Sequence, residues 1–156
     1  MDLPVEPEAP ARAGYKQDLH AWAREQAALL RAGRLSEVDA ANIAEELDDV
    51  GNEQYDKLES ALRVLLTHML KWDHQPERRG RSWANTIDTQ RDHIRKVLRK
   101  NPSLKSSLEE AIFEAWKDAR RDASSEANLP RRTFPEVIPY DWAAILERPF
   151  AFDPED

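Results

Sequence analysis

Proline placement is the feature that most constrains the fold of this chain. Eight of the ten prolines lie within residues 1–10 or 130–156, and the middle of the chain is nearly free of them. Proline removes a backbone hydrogen bond and breaks helix interiors, so a long proline-poor region favours helices. The middle also lacks any alternating apolar pattern of strand length. We therefore expect an all-α protein, with a helical body between two irregular ends.

Apolar residues spaced by three and four predict a bundle of about four main helices. A first helix is expected over 18–32 and a long second helix over 36–74. The second helix is either unbroken at Gly51 or has a kink or a break there, because a glycine costs about 1 kcal/mol relative to alanine inside a helix. Ser82 is expected to cap a third helix and Ser103 to begin a fourth.

The two ends of the chain differ from this helical body. The segment 130–156 is rich in proline and aromatic residues and holds one short helical pattern at 141–147. Large apolar side chains seldom stay in water, so we expect this segment to pack across the helices. Residues 1–13 are acidic and proline-rich, and they are predicted to form a disordered or loosely attached tail. The predicted organisation is that tail followed by a single helical domain over 14–156.

Composition excludes several classes of function. The sequence contains no cysteine, which rules out disulfides, thiolate metal sites and cysteine nucleophiles. Its net charge of −7 disfavours a general attraction to nucleic acid or anionic lipid. The longest apolar run, 64–70, is too short to cross a membrane, and the first residues lack the pattern of a secretory signal. We therefore expect a cytoplasmic protein without membrane contact.

Charge is nevertheless segregated along the chain. Residues 36–60 carry nine acids and one base, whereas residues 71–105 carry ten bases and four acids. In the interpretation we favour, a short link makes the third helix antiparallel to the second. Its basic end then passes Glu53, Asp56 and Glu59, and the opposite charges balance within one molecule.

A second interpretation of the basic segment is an anion site. Arg78, Arg79 and Arg81 precede a helix start, where exposed backbone N–H groups add positive potential. The bases of the third helix would extend this site into a nucleic-acid face. Trp72 and Trp83 lie in the same region, and we expect the two rings to pack together in the core rather than stack on bases. Nucleic acid is therefore not the partner we expect.

Histidine spacing disfavours a metal site. The residue three positions before each of the four histidines is not a carboxylate, and no two histidines lie one helical turn apart. We predict no metal and no cofactor.

The enzyme hypothesis is weaker and centres on His68 and Glu46. One of Glu45 and Glu46 is expected to face inward beside Ile43 and Leu47, where burial can raise a carboxyl pKa enough for general-base chemistry. A metal version of this site, in which His68 joins Glu45, Glu46 or Asp49, requires the chain to fold back at Gly51. Phosphate, dinucleotide and serine-nucleophile motifs are absent from the sequence, so we lean against an enzyme.

Several stretches of the sequence carry a resemblance to a known family. They are YKQDLHAWAREQAALLRAGRLSEVD at 15–39, NIAEELDDVG at 42–51, LESALRVLLTHMLKW at 58–72, QPERRGRSW at 75–83 and TFPEVIPY at 133–140. Together, and in this order, they resemble the bacterial domain of unknown function family twenty-nine. The resemblance covers nearly all of 15–152. It implies an all-helical fold and brings no established activity, cofactor or substrate.

The motif positions of that family mark the residues most worth testing. The candidate functional cluster carried over in this way is Glu45, Glu46, His68, Lys71, Trp72, Arg81, Ser82 and Trp83. Members often have a cysteine near Val137 or Ile138 that this chain lacks, so no cysteine-dependent role is carried over. The function we favour is a protein-interaction module whose partner is an unknown protein or a second copy. Phosphate or nucleic-acid binding and the His68–Glu46 enzyme are the alternatives.

Overall fold

The computed structural model describes residues 14–152, and every regular element in that part of the chain is a helix. The α-helices are α1 (Leu19–Arg31), α2 (Ala40–His74), α3 (Arg81–Lys100), α4 (Leu108–Ala127) and α5 (Trp142–Glu147). Short 3₁₀ turns occupy Leu35–Glu37, Pro76–Arg78, Pro102–Ser107 and Arg131–Thr133. The all-α prediction is confirmed. The tail predicted over 1–13 lies outside the described residues.

Capping explains where the first two helices begin. The backbone N–H of Ala21 donates to the Asp18 carboxylate at 2.9 Å, so α1 starts where the sequence predicts. α2 starts later than the predicted 36, because Asp39 is the residue whose carboxylate accepts the backbone N–H of Asn42, at 3.4 Å. The residues before it form the 3₁₀ turn Leu35–Glu37 instead of a first α-helical turn.

Two later helix starts also differ from the prediction. Gly80, and not Ser82, is the N-cap residue of α3. Ser103 lies in the 3₁₀ turn that precedes α4. There the Ser106 hydroxyl donates to the Ser103 carbonyl at 2.8 Å, and serine bonds of this kind compete with regular α-helical bonding.

α2 runs from Ala40 to His74 without a break at Gly51. A Cβ added at Gly51 would meet no atom within 4 Å, so the glycine is not required by close packing. Gly33 differs, because its φ of 72° lies in the left-handed region that side chains disfavour. Gly33 turns the chain just after α1.

Contacts within the chain divide it into two units. The N-terminal unit extends to Val50, and the C-terminal unit begins at Gly51. In the N-terminal unit, the Trp22 indole N–H donates to the Asp39 carboxylate at 3.1 Å, and the Asp39 backbone N–H donates to Gln26 at 2.7 Å. These bonds join α1 to the start of α2 and form a helical hairpin. The prediction of a single domain stays a prediction.

The C-terminal unit has a continuous apolar core. Its buried helical side chains are Leu58, Ala61, Leu62, Leu65, Leu66, Met69, Leu70 and Trp72 from α2, Ala84, Ile87, Ile94 and Val97 from α3, and Ala111, Ala115, Trp116, Ala119 and Ala123 from α4. Phe134, Ile145 and Phe150 add to this core from the C-terminal segment. That segment therefore packs on the helices, as its aromatic content predicts.

Candidate functional site

The best-connected part of the candidate cluster lies in the C-terminal unit around Lys71. The Lys71 ammonium is 2.9 Å from the Glu126 carboxylate and 4.6 Å from the centroid of the Trp83 ring. Only 12% of the Lys71 side chain is exposed. The cation is therefore held between a carboxylate and an aromatic face, and its hydrogen-bonding capacity is largely directed into its own molecule.

His68 lies one helical turn before Lys71 and is half-buried. Its Nδ1 is 2.8 Å from the Val64 carbonyl oxygen, so Nδ1 carries the proton and Nε2 is the free acceptor. Burial lowers the pKa of His68; the bond to Val64 opposes this shift and the Lys71 charge reinforces it. The neutral imidazole can accept a proton. Its neighbours Lys71 and Glu126 are paired with each other.

The two tryptophans of the cluster belong to the core, as predicted, but they have different partners. The Trp72 ring meets Phe150 edge to face, with 5.5 Å between centroids. The Arg79 guanidinium lies 5.3 Å from the Trp72 centroid and donates through Nε to the Trp72 carbonyl at 2.8 Å. The direct Trp72–Trp83 pair that the sequence predicts is not among the ring contacts of residues 14–152.

The arginines of the anion hypothesis are not all free to converge. Arg79 is committed to Trp72, whereas Arg78 and Arg81 are exposed. Arg81 and Ser82 line a shallow groove whose walls come from α3 alone. A surface built from a single helix offers a ligand little enclosure. The anion site stays a prediction.

Two other bases of the basic segment bind backbone carbonyls of α5. The buried Arg91 donates through Nε to the Ile145 carbonyl at 2.8 Å and through Nη2 to the Ala144 carbonyl at 3.1 Å. Arg95 donates to the Leu146 carbonyl at 2.8 Å. The last carbonyls of a helix lack partners within it, so these arginines cap the C-terminus of α5.

The predicted antiparallel register of α3 and α2 is correct, but the predicted partners of the charged side chains are wrong. α3 is antiparallel to α2, since the Asn101 side-chain amide donates to the Gln54 side-chain oxygen at 3.3 Å. Within the described chain, however, no ion pair joins the bases of α3 to the acids at 53, 56 and 59. The α2 helix pairs with α4 instead, as where Arg63 Nε lies 2.6 Å from Asp122.

A partly buried polar network that sequence reasoning missed joins α2 to the C-terminal segment. The Tyr140 hydroxyl donates to the Asp73 carboxylate at 2.7 Å, and Arg148 Nη2 lies 2.6 Å from the same carboxylate. Burial alone would raise the pKa of Asp73, but the bonds from Arg148 and Tyr140 outweigh it and lower that pKa. Burial and the bond to Asp73 raise the pKa of Tyr140. The network is internally satisfied, which is typical of a structural role.

The remaining cluster members, Glu45 and Glu46, lie in the N-terminal unit. Glu46 accepts the Tyr15 hydroxyl at 2.5 Å, and this bond raises the pKa of Tyr15 to about 12. Glu45 is exposed. An enzyme or metal site that joins Glu46 to His68 stays an alternative prediction.

Metal-ligand clusters and membrane-spanning helices are two further features that bear on the site. Among residues 14–152, no group of three or more histidine, aspartate or glutamate side chains is arranged to hold a metal ion. None of the helices in the same range is both long enough and apolar enough to span a membrane.

The N-terminal unit carries an apolar surface between its two helices, which we call the hairpin groove. Its volume is about 220 Å³, and its lining includes Ala23, Ala27 and Leu30 of α1 with Ile43, Leu47 and Val50 of α2. Leu30, Leu47 and Val50 are 44%, 65% and 55% exposed. The sequence predicts an apolar stripe through Ile43 and Leu47 that faces inward. The structure shows instead that much of this stripe is open to solvent.

These observations define an all-α protein with a helical bundle in its C-terminal unit. The described contacts of its candidate residues go mostly to residues outside the cluster. The chain belongs to the family described as Domain of unknown function DUF29, whose model matches residues 15–151. The resemblance seen in the sequence motifs is thereby confirmed. No curated protein and no solved structure matches the chain.

Proposed function

We propose that this protein is a protein-interaction module and that the hairpin groove is its contact surface. The observation that carries the proposal is the exposure of Leu30, Leu47 and Val50 along one groove. Scattered single apolar side chains are normal on a protein surface, but contiguous ones mark places where another molecule binds. Covering a leucine side chain fully is worth about 1.5–3 kcal/mol, so a partner over the groove gains substantial free energy.

The local architecture supports the same proposal. Within the described part of the N-terminal unit, Trp22 and Leu29 are the buried hydrophobic side chains. A helix with one apolar stripe must bury it against another element, and a hairpin of two helices covers only part of each stripe. The groove is the part left uncovered.

A second exposed apolar groove adds support from the C-terminal unit. It lies between α4 and the C-terminal segment, has a volume of about 310 Å³, and includes the largely exposed Phe113 and Val137. Its floor is held in place, because the Trp116 indole N–H donates to the Glu136 carbonyl at 3.0 Å. We rank it second because its rim mixes acids and bases and therefore indicates no preferred partner.

Site-specific photo-cross-linking in living cells tests the proposal. A photoreactive residue at Leu47 should give a discrete adduct with another polypeptide chain. The matched control places the same residue at Leu35, which is 66% exposed but does not line the groove, and should give little adduct. Absence of an adduct at Leu47, or equal adducts at both positions, would overturn the assignment of the groove as the contact surface.

Phosphate or nucleic-acid binding and the His68–Glu46 enzyme stay alternative predictions. No specific contact favours phosphate or nucleic acid as a ligand, or the His68–Glu46 enzyme. The cytoplasmic setting also stays a prediction.

A further inference from the structure

We infer that the molecule seated on the hairpin groove is a second copy of this chain, with α1 of each copy packed on α2 of the other. This inference rests on the proposed function, because it names the occupant of the same groove. Its basis is the way charge is distributed on the two helices that form the groove.

The α2 side of the groove is acidic. The stripe of Ile43, Leu47 and Val50 shares the first turns of α2 with Glu45, Glu46, Asp48 and Asp49, and residues 40–50 include no base. Glu46 is bonded to Tyr15, whereas Glu45, Asp48 and Asp49 are exposed. An apolar surface in this setting favours a partner that brings cations beside its own apolar stripe.

The α1 side of the groove carries such cations. Arg24 and Arg31 lie with His20 and small alanines along one exposed face of α1, and the two arginines are the cations. Ala23 and Ala27 belong both to this face and to the hairpin groove, so the basic face borders the groove directly. The hairpin therefore presents an apolar centre with bases on one helix and acids on the other.

Two-fold symmetry makes that arrangement self-complementary. When the symmetry axis runs parallel to the helices, each α1 packs over the α2 of the other copy, and base-to-acid pairing occurs twice. An axis across the helices would set α1 on α1 and α2 on α2, opposing like charges. The favoured arrangement is a four-helix bundle of two hairpins, a common way for such hairpins to bury their apolar stripes. The alanines of α1 also let the helices approach closely.

Sedimentation equilibrium of the full chain tests the occupant. We expect a monomer–dimer equilibrium, and Leu47→Asp should raise the dimer Kd about 30-fold or more, as loss of a central interface residue does. Leu35→Asp is the control and should leave the Kd nearly unchanged, with circular dichroism confirming that both variants are folded. A wild-type chain that stays monomeric at millimolar concentration overturns the inference.

Charge exchange tests the arrangement of the two copies. Arg24→Glu with Arg31→Glu in one variant, and Glu45→Lys with Asp48→Lys in another, should each weaken self-association. Mixing the two variants should restore a dimer, because each then presents the charges that the other lacks. If the mixture associates no better than either variant alone, α1 does not pack on α2 of the partner.

The outcomes also separate this inference from the proposed function. A monomeric chain whose Leu47 cross-links to a different protein would sink the second copy and leave the interaction module standing. A monomeric chain without any adduct at Leu47 would remove both.

Discussion

The N-terminal hairpin and the C-terminal bundle are built from the same kind of amphipathic helix, and α2 runs through both. In the C-terminal unit, stripes from α2, α3 and α4 meet in one core together with aromatic side chains of the C-terminal segment. In the N-terminal unit, Leu47 and Val50 continue the apolar spacing of α2 but remain more than half exposed. The difference shows that an apolar stripe predicts a need for burial without identifying what supplies it.

The two units also differ in whether their carboxylates are paired or exposed. In the C-terminal unit, carboxylates such as Asp73 and Asp122 are partly buried and paired with arginines. In the N-terminal unit, Glu45, Asp48 and Asp49 are exposed, and none of them has an ion pair among the described residues. The C-terminal unit thus pairs these carboxylates within itself, whereas the N-terminal unit presents Glu45, Asp48 and Asp49 to solvent beside its exposed apolar stripe.

The largest expected effect comes from deleting the same side chain in each unit. Leu66→Ala empties a fully buried site and should lower the free energy of unfolding by about 2–5 kcal/mol. Leu35→Ala, in the exposed turn of the hairpin, should change it by less than about 0.5 kcal/mol. Urea denaturation followed by circular dichroism measures both. Equal losses would show that the hairpin is as well packed as the bundle and would break the comparison.

A second matched pair compares the carboxylate–tyrosine bonds of the two units. Asp73→Asn removes the charge that Arg148 and Tyr140 share, and should cost about 1.5–3 kcal/mol, as bonds to charged groups do. Glu46→Gln weakens the bond to Tyr15 at the surface and should change the free energy of unfolding little.

Stability measurements at low pH test whether Asp73 is charged in the folded protein. The folded-state pKa of Asp73 is lowered. The stabilisation that its charged carboxylate provides is therefore complete above the unfolded pKa of about 3.9, and it is lost as pH falls through the folded pKa. The gap between wild type and Asp73→Asn should therefore shrink in urea titrations below about pH 4. A gap that stays constant from pH 7 to pH 2 would contradict a charged pair.

Replacing two glycines by alanine should change the free energy of unfolding less, and in opposite directions at the two positions. Gly51→Ala, in open space within a helix, should raise the free energy of unfolding by about 0.5–1 kcal/mol. Gly33→Ala, at a φ of 72°, should lower it by about 1 kcal/mol. Thermal or urea unfolding measures both variants. A destabilising Gly51→Ala would indicate that the helix bends at the boundary between the units in solution.

Helix positions could be predicted because their signals are local. Proline, Asp18 and Gly33 act on the turns next to them, and the predicted first helix and the short helix near 141–147 agree with α1 and α5. The start of α4 was wrong because serine, which caps helices well, also bonds within tighter 3₁₀ turns, as Ser106 does.

The candidate site was less predictable because its contacts join distant parts of the chain. Arg91 and Ile145 are bonded across 54 residues, and Asp73 and Arg148 across 75, so no local pattern records either pair. The antiparallel register of α2 and α3 followed from helix geometry, but charge segregation could not show that arginines would bind carbonyls. The hairpin groove was missed for a related reason, since the spacing of Leu47 resembles that of the buried Leu65.

The smallest expected effect tests whether the bundle excludes water around His68 more than the hairpin does around its own histidine. Burial lowers the folded-state pKa of His68, so the folded chain binds fewer protons than the unfolded chain between the two pKa values. Stability is therefore complete above the unfolded value of about 6.5 and falls as pH drops toward the folded pKa. His68→Gln should flatten this part of the pH profile, and His20→Gln, at an exposed position of α1, serves as the control substitution. Urea titrations at pH 7.5 and pH 5.5 measure the slope. If the free energy of unfolding falls equally in wild type and His68→Gln between pH 7.5 and pH 5.5, His68 is accessible to water. The contrast between the two units then does not extend to the surface of the bundle.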